Sequence, residues 1–189
     1  MKIILVGAHG TGKTTLSKLL NERLGYPIIE SASRDIKDLI NSDKINISES
    51  DYHELITAIN VKMWKDTEIA CHYIPHIFTR TLIDNIAYSS EKTDKESLEN
   101  NYLYKILKES DLSKCLFVCI PIEFELENDG VRYTDKEYQK SIEIRQRDIV
   151  NSLLEDGEIE IGQICLVSGT PEERLNTIIE DLNEYPDLN

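Results

Sequence analysis

A chain of 189 residues has the length of one domain with a single hydrophobic core. The 35 acidic residues outnumber the 21 basic ones and give a net charge of −14. Because no block rich in lysine or arginine offsets this charge, a nucleic-acid partner is not expected. The first apolar run is too short for a signal peptide and no stretch approaches the ~20 apolar residues of a membrane span, so we expect a cytosolic protein that does not contact a membrane.

The first predicted element is a strand that leads directly into a glycine-rich loop. Lys2 to Val6 has the continuous apolar run of a buried strand, and the next eight residues, 7–14, have the sequence GAHGTGKT. This sequence fits the phosphate-binding pattern G-x-x-x-x-G-K-[ST] at every fixed position. Apolar residues then recur at helical spacing until Gly25, which is placed as a C-cap. Strand, loop and helix together predict a binding site for a nucleoside triphosphate.

Each residue type in this loop suits the binding of phosphate. Gly7 and Gly12 permit backbone conformations and close approaches that a Cβ would block, so that loop N–H groups can point inward. Lys13 is expected to face solvent without a ligand and to reach the β- and γ-phosphates of a nucleotide, and the Thr14 hydroxyl is expected to ligate Mg²⁺. Thr15 is a lesser candidate, for the α-phosphate. The predicted nucleotide-binding residues of this loop are Gly7, Gly10, Thr11, Gly12, Lys13, Thr14 and Thr15.

Strands and helices alternate along the rest of the chain. Four further strands are predicted at residues 26–30, 74–79, 116–120 and 163–167. Further helices are predicted at residues 33–40, 50–72, 80–88, about 98–106, 135–154 and 171–183. This alternation favours one α/β domain, residues 1–189, in which helices cover both faces of a parallel sheet. A small lid is expected at about residues 121–147.

Polar residues follow the second and third strands, at the sheet edge where such folds build their sites. Glu30 can accept a proton from a substrate hydroxyl and Arg34 can hold a substrate phosphate or carboxylate, or the two can simply pair with each other. Arg80 and Asp84 are four residues apart and can share one helical face, either as an ordinary ion pair or as charges that face the substrate. For each pair both alternatives stay open.

Further candidates follow the fourth and fifth strands. Arg132 ends the segment DGVR at residues 129–132, which is either a simple turn or the edge of a lid that closes over phosphates. Gly169 and Thr170 lie in a loop that either contacts the purine base or only turns the chain.

The helix predicted at residues 135–154 has a break in its apolar face. Arg145 or Gln146 completes that face between Ile142 and Ile149, and the spacing favours Arg145 as the inward residue. An inward arginine needs an anionic partner because an unpaired buried charge is costly. That partner is either a core carboxylate or the bound triphosphate.

These motifs resemble those of the NadR-like AAA group of small P-loop kinases and ATPases, which includes ribosylnicotinamide kinase domains. The resemblance covers nearly the whole chain and implies the nucleoside- and nucleotide-kinase fold, a five-stranded parallel sheet of order 2-3-1-4-5. Related kinases often carry Asp-Arg at the end of the third strand, where this chain has Thr79-Arg80; Asp84 or Glu30 then takes part of that role, or metal support is weaker. The resembling segments are GAHGTGKTT at residues 7–15, E-x-x-x-R at 30–34, R-x-x-x-D-x-x-A-Y at 80–88, DGVR at 129–132 and SGTPEER at 168–174.

The leading hypothesis is a kinase that uses Mg²⁺ and ATP, or alternatively GTP, to phosphorylate a small nucleoside, nucleotide or nicotinamide riboside-like acceptor. The alternative is a nucleotide-dependent switch that hydrolyses slowly and acts through a protein partner, which Thr79 favours. The kinase hypothesis assigns catalysis to Lys13, Glu30, Asp84, Arg132 and Arg145, and acceptor binding to Glu30, Arg34, Arg80 and Asp84.

Overall fold

The central element of the fold is a five-stranded parallel sheet. The computed structural model describes residues 1–30, 36, 38–40, 42, 46–90, 92–124 and 135–184. Ile4 of the middle strand lies opposite Phe78 on one side and Phe117 on the other. The predicted α/β class and the implied strand order are confirmed. The strands are β1 (Lys2–Val6), β2 (Ile28–Ile29), β3 (His76–Phe78), β4 (Cys115–Cys119) and β5 (Ile164–Leu166), in the order β2-β3-β1-β4-β5.

Helices cover both faces of this sheet. Side chains alternate along β1, so Ile3 and Leu5 join a hydrophobic cluster with the helices at residues 13–24 and 171–184 on one face. Ile4 and Val6 join a cluster with the helices at residues 49–70, 82–89, 95–109 and 136–155 on the other face. None of the helices in the described ranges is long and apolar enough to cross a membrane. The helices are α1 (Lys13–Leu24), α2 (Glu49–Ala70), α3 (Leu82–Ser89), α4 (Lys95–Asn100), α5 (Tyr102–Glu109), α6 (Lys136–Glu155) and α7 (Pro171–Glu184), and a 3₁₀ turn (Ile161–Gln163) precedes β5.

The sequence predictions differ from the structure mainly at the ends of elements. The strand predicted at residues 26–30 is only two residues long, and the helix predicted at about 98–106 is two helices, α4 and α5. The break occurs at Asn101, whose side-chain oxygen accepts hydrogen bonds from the backbone N–H groups of Leu103 and Tyr104 and so caps a new helix. Of the helix predicted at residues 33–40, residues 36 and 38–40 are helical and the others lie outside the described residues.

Candidate active site

The loop between β1 and α1 has a backbone that requires glycine at several positions. Gly10 and Gly12 have φ angles of 79° and 91°, in the left-handed region that favours glycine. A Cβ on Gly7 would lie 2.8 Å from both the Ile120 carbonyl oxygen and the Thr11 hydroxyl. The Thr11 side chain is buried and donates a hydrogen bond to another residue of the loop. Thr11 can therefore contact a ligand through its backbone and not through its hydroxyl group. The loop, residues 7–14, therefore already has its shape, and we call it the cradle.

Lys13 folds back over the loop. Its ammonium group donates to the carbonyl oxygens of Gly7 and Ala8, the second at 2.8 Å, and the residue is half-buried. The expectation that Lys13 faces solvent is therefore wrong, because loop carbonyls beside an ammonium group replace water as its acceptors. Thr14 and Thr15, on the first turn of α1, are exposed. Both hydroxyl groups are accessible to a ligand.

Asp84 is buried at the start of α3, with 3% of its surface exposed. One carboxylate oxygen accepts from the Thr81 backbone N–H at 2.9 Å, and the other accepts from Gln146 Nε2 at 3.1 Å. Burial raises the pKa of the Asp84 carboxyl, and the positive charges of Lys13 and Arg80 oppose that rise. Asp84 thus accepts hydrogen bonds from protein donors at both oxygens and lies within electrostatic reach of Lys13 and Arg80.

Arg80 lies in the turn just before α3. Because the helix begins at Leu82 after the Thr81 cap, Arg80 does not share a helical face with Asp84 as the spacing predicted. Its guanidinium lies 5.5 Å from the centre of the Tyr88 ring. Burial raises the pKa of Tyr52, on α2, and the charge of Arg80 opposes that rise too. Arg80 is therefore a half-buried cation against the Tyr88 ring of α3, within electrostatic reach of Tyr52.

The remaining acceptor-side candidates lie around the ends of β2 and β3. Glu30 directly follows β2 and is exposed. Thr79 follows β3, is buried, and donates through its hydroxyl to the Ile29 carbonyl oxygen at 3.3 Å. The predicted positions Arg34 and Arg132 lie outside the described residues. Among the residues that the sequence singled out, Glu30 is thus the carboxylate that is accessible at this edge of the sheet.

The inward residue of α6 is Gln146 and not Arg145. Gln146 has 1% of its surface exposed, whereas Arg145 is half-buried and donates to the Ala87 carbonyl oxygen of α3 at 3.1 Å. The prediction of an inward Arg145 was wrong because Gln146, four residues after Ile142, fits the buried face equally well and carries no charge. Arg147, the next residue along α6, is exposed.

Two side chains to which the sequence assigned no role, Tyr88 and Gln139, hold the phosphate-binding loop at His9. The Tyr88 hydroxyl accepts from the His9 backbone N–H at 3.2 Å and lies 3.0 Å from its ring Nδ1. Gln139 Nε2, on α6, donates to the His9 carbonyl oxygen at 2.7 Å. Burial raises the pKa of Tyr88 to about 12, so its hydroxyl stays protonated. These partners are 79 and 130 residues from His9 in the chain, so no local pattern could indicate them.

The loop between β5 and α7 is joined to the phosphate-binding loop by Arg174, the last residue of the SGTPEER segment, to which the sequence assigned no role. Arg174 has 1% of its surface exposed, and its guanidinium donates to the Thr11 carbonyl oxygen and to Glu123, each at 2.7 Å. The same carboxylate oxygen of Glu123 accepts from the Gly169 backbone N–H at 2.8 Å. Thr170 is exposed and its hydroxyl caps α7. The predicted base-binding residues therefore connect to the phosphate cradle.

A parallel sheet of order 2-3-1-4-5, with a glycine cradle and its lysine directly after β1, defines a P-loop NTPase of the nucleoside- and nucleotide-kinase fold. The chain belongs to the AAA domain family, which it matches over residues 2–174.

The similarities to individual proteins agree with this fold. The putative adenylate kinase of Thermococcus kodakarensis is 27% identical over 135 residues, 71% of this chain and 76% of that protein. The NadR protein solved in complex with NR superposes with a TM-score of 0.65 at 21% identity, over 100% of this chain and 52% of the NadR chain. The deoxyadenosine kinase of M. mycoides with bound dATP gives a TM-score of 0.60 at 16% identity, over 97% of this chain and 100% of that one. The protein thus spans about half the length of the NadR chain and the whole length of the deoxyadenosine kinase chain.

Proposed function

We propose that this protein is an ATP- and Mg²⁺-dependent kinase that phosphorylates a small nucleoside, nucleotide or nicotinamide riboside-like acceptor. The observation that carries the proposal is a preformed phosphate cradle with Lys13, next to a cation, Arg80, that lies over the Tyr88 ring beyond the neighbouring strand. The similar proteins are named as adenylate kinase, deoxyadenosine kinase and a protein complexed with NR, and these names support acceptors of this class.

The donor side fits a nucleoside triphosphate and its metal ion. Glycine lets the loop pack against the Ile120 carbonyl at position 7 and adopt a positive φ at position 12, and Lys13 can exchange its loop carbonyls for phosphate. The exposed Thr14 hydroxyl is a hard oxygen ligand of the kind that Mg²⁺ prefers. The described residues hold no group of three or more His, Cys, Asp or Glu side chains suited to a metal, so Thr14 and the phosphates would hold the ion. When bound, Mg²⁺ neutralises charge on the transferring phosphates.

The acceptor side assigns different roles to the two carboxylates. An attacking hydroxyl oxygen forms the new bond to the γ-phosphorus while the bond to the bridging oxygen breaks, ADP leaves, and the hydroxyl proton passes to a base. Glu30 is exposed and open to that proton, whereas both Asp84 oxygens already accept protein hydrogen bonds. Asp84 then positions the turn that carries Arg80. For an acceptor that is already a phosphate, no base is needed, and Arg80 with Arg34 holds it.

One observation favours a second candidate function, a slow nucleotide-dependent switch. The residue after β3 is Thr79, whose hydroxyl is bonded to the Ile29 carbonyl, so a neutral group stands where related kinases often have a carboxylate. Weaker support for the metal ion would slow phosphoryl transfer and leave a long-lived nucleotide complex for a protein partner to recognise.

An acceptor panel separates the two candidates. We would incubate the protein with ATP, Mg²⁺ and nucleosides, nucleoside monophosphates or nicotinamide riboside, and follow products by ³¹P NMR and mass spectrometry. If the protein is a kinase, one acceptor class is phosphorylated and one ADP forms for each phosphorylated acceptor. Lys13→Ala should abolish that product. Lys18→Ala is the matched control, since Lys18 is an exposed lysine on the same helix. Slow release of inorganic phosphate with every acceptor favours the switch, and no ATP binding rejects both.

A further inference from the structure

We infer that Arg174 is a positioning residue that turns the Gly12 N–H of the phosphate-binding loop toward the phosphates of the bound nucleotide. The inference rests on the proposed function, because it concerns the same donor site. It adds a residue from α7, 163 positions from its loop partner, to a donor site whose phosphate-binding residues lie at positions 7–15.

The burial of Arg174 is unusual for a charged residue on a helix at the protein surface. Its side chain is almost completely buried, and a buried guanidinium is costly unless it is paired and hydrogen-bonded. One terminal nitrogen donates to the Thr11 carbonyl oxygen and the other to the Glu123 carboxylate, each at 2.7 Å. The guanidinium also lies 4.8 Å from the centre of the Phe124 ring. These contacts fix the group on the outer side of the loop.

Through the geometry of the peptide unit, this contact also fixes the direction of the N–H group that faces the ligand. The Thr11 carbonyl and the Gly12 N–H belong to one trans peptide plane and therefore point in opposite directions. Because Arg174 holds the carbonyl outward, the N–H is directed away from Arg174 and into the cradle. Gly12, with φ of 91°, has the conformational freedom that would otherwise let this peptide rotate. Arg174 removes that freedom before the nucleotide arrives.

Glu123 makes the arrangement specific for arginine. The Arg174 hydrogen bond lowers the pKa of Glu123, which keeps it ionised as the counterion of the guanidinium. The same carboxylate accepts from the Gly169 backbone N–H, so the Arg174 guanidinium and Glu123 together join the phosphate-binding loop, the segment after β4 and the β5–α7 loop. A lysine ammonium can satisfy either acceptor but lacks the rigid fork that holds both.

The sequence allows this one peptide to be observed alone. Thr11–Gly12 is the only Thr-Gly pair in the chain. Full-length protein labelled with carbonyl-¹³C threonine and ¹⁵N glycine therefore gives a single HNCO signal, from the peptide in question. The probes are sodium pyrophosphate and Mg-ATP, titrated into wild type, Arg174→Met, Arg174→Lys and the control Arg147→Met, which changes an exposed arginine of α6. Affinities and melting temperatures are measured on the same samples.

In wild type we expect one signal that moves on addition of pyrophosphate, since the N–H then donates to an anion. In Arg174→Met the signal should broaden or split, and pyrophosphate and ATP should bind about tenfold or more weakly, the scale of a lost hydrogen bond to a charged group. Arg174→Lys should fall between the two, and Arg147→Met should match wild type. If Arg174→Met does not fold, Glu123→Gln removes only the counterion's charge and should weaken pyrophosphate binding several-fold.

Two results would overturn the inference while leaving the donor site intact. One is a variant of Arg174 with the wild-type signal and wild-type pyrophosphate affinity, even if it melts earlier, since Arg174 is then only a packing residue. The other is a wild-type signal that stays still while pyrophosphate binds. Wild-type protein that binds neither pyrophosphate nor ATP rejects the inference and the proposed function together.

Discussion

Gly12→Ala separates the cost of backbone strain from the loss of the phosphate site, with Gly157→Ala as its matched control. Both glycines have positive φ, 91° and 74°. A Cβ has room at both, because its nearest contact at Gly12 is 3.6 Å away and no described atom lies within 4 Å of it at Gly157. The cost is therefore conformational, about 1–2 kcal/mol at either position, which is partly offset by about 0.4–1 kcal/mol from a stiffer unfolded chain. For a protein of this length, a net loss of about 1 kcal/mol lowers the melting temperature by about 2–4 °C.

Thermal melting without ligand and calorimetric titration with Mg-ATP test this reasoning. Both variants should melt a few degrees early, but only Gly12→Ala should lose ATP affinity, because its peptide lies in the cradle and Gly157 follows α6 on a turn. ATP binding by Gly12→Ala at the wild-type level would refute the assignment of the loop. A much larger loss of stability in Gly12→Ala than in Gly157→Ala would refute the conformational estimate and indicate a clash.

Three further predictions follow from individual side chains. In urea titrations, Asp84→Asn should gain stability relative to wild type as the pH rises from about 4 toward the raised pKa of Asp84, by at most about 1.4 kcal/mol per pH unit, because ionised Asp84 destabilises the folded state. Asp94→Asn should instead lose stability relative to wild type as the pH rises toward about 4 and change little above it, since the pKa of Asp94 is lowered and its stabilising ionisation is complete there. Tyr88→Phe should weaken ATP binding several-fold in calorimetric titrations, with its melting temperature little changed, since it loses the hydroxyl that contacts the loop. Arg145→Ala should lower the melting temperature more than Arg147→Ala without a matching loss of kcat, because its contact is the Ala87 carbonyl; a selective loss of kcat in steady-state assays would restore its catalytic role.

The donor half of the site could be predicted because its chemistry lies in adjacent residues. A short strand, eight loop residues and the next helix turn contain the cradle, the lysine and the hydroxyl, so one local pattern covers them all. Such a pattern could not decide whether Arg145 or Gln146 points inward, because both positions lie at helical spacing from Ile142. Only packing against α3 decides between them. The contacts of Tyr88, Gln139 and Arg174 join distant parts of the chain and have no local pattern.

Those distant contacts show how the phosphate-binding loop keeps its N–H groups available. The His9 carbonyl is held by Gln139 of α6, and the Thr11 carbonyl by Arg174 of α7, so two of the loop's acceptors are satisfied from outside the cradle. The Gly7 and Ala8 carbonyls are instead bonded to Lys13, whose ammonium group is also the one expected to reach the phosphates. Nucleotide binding then requires one flexible side chain to exchange acceptors, while the contacts from α6 and α7 stay in place. Because these described contacts of the loop need not rearrange, more of the binding energy of the phosphates remains available for affinity and for positioning the transferring group.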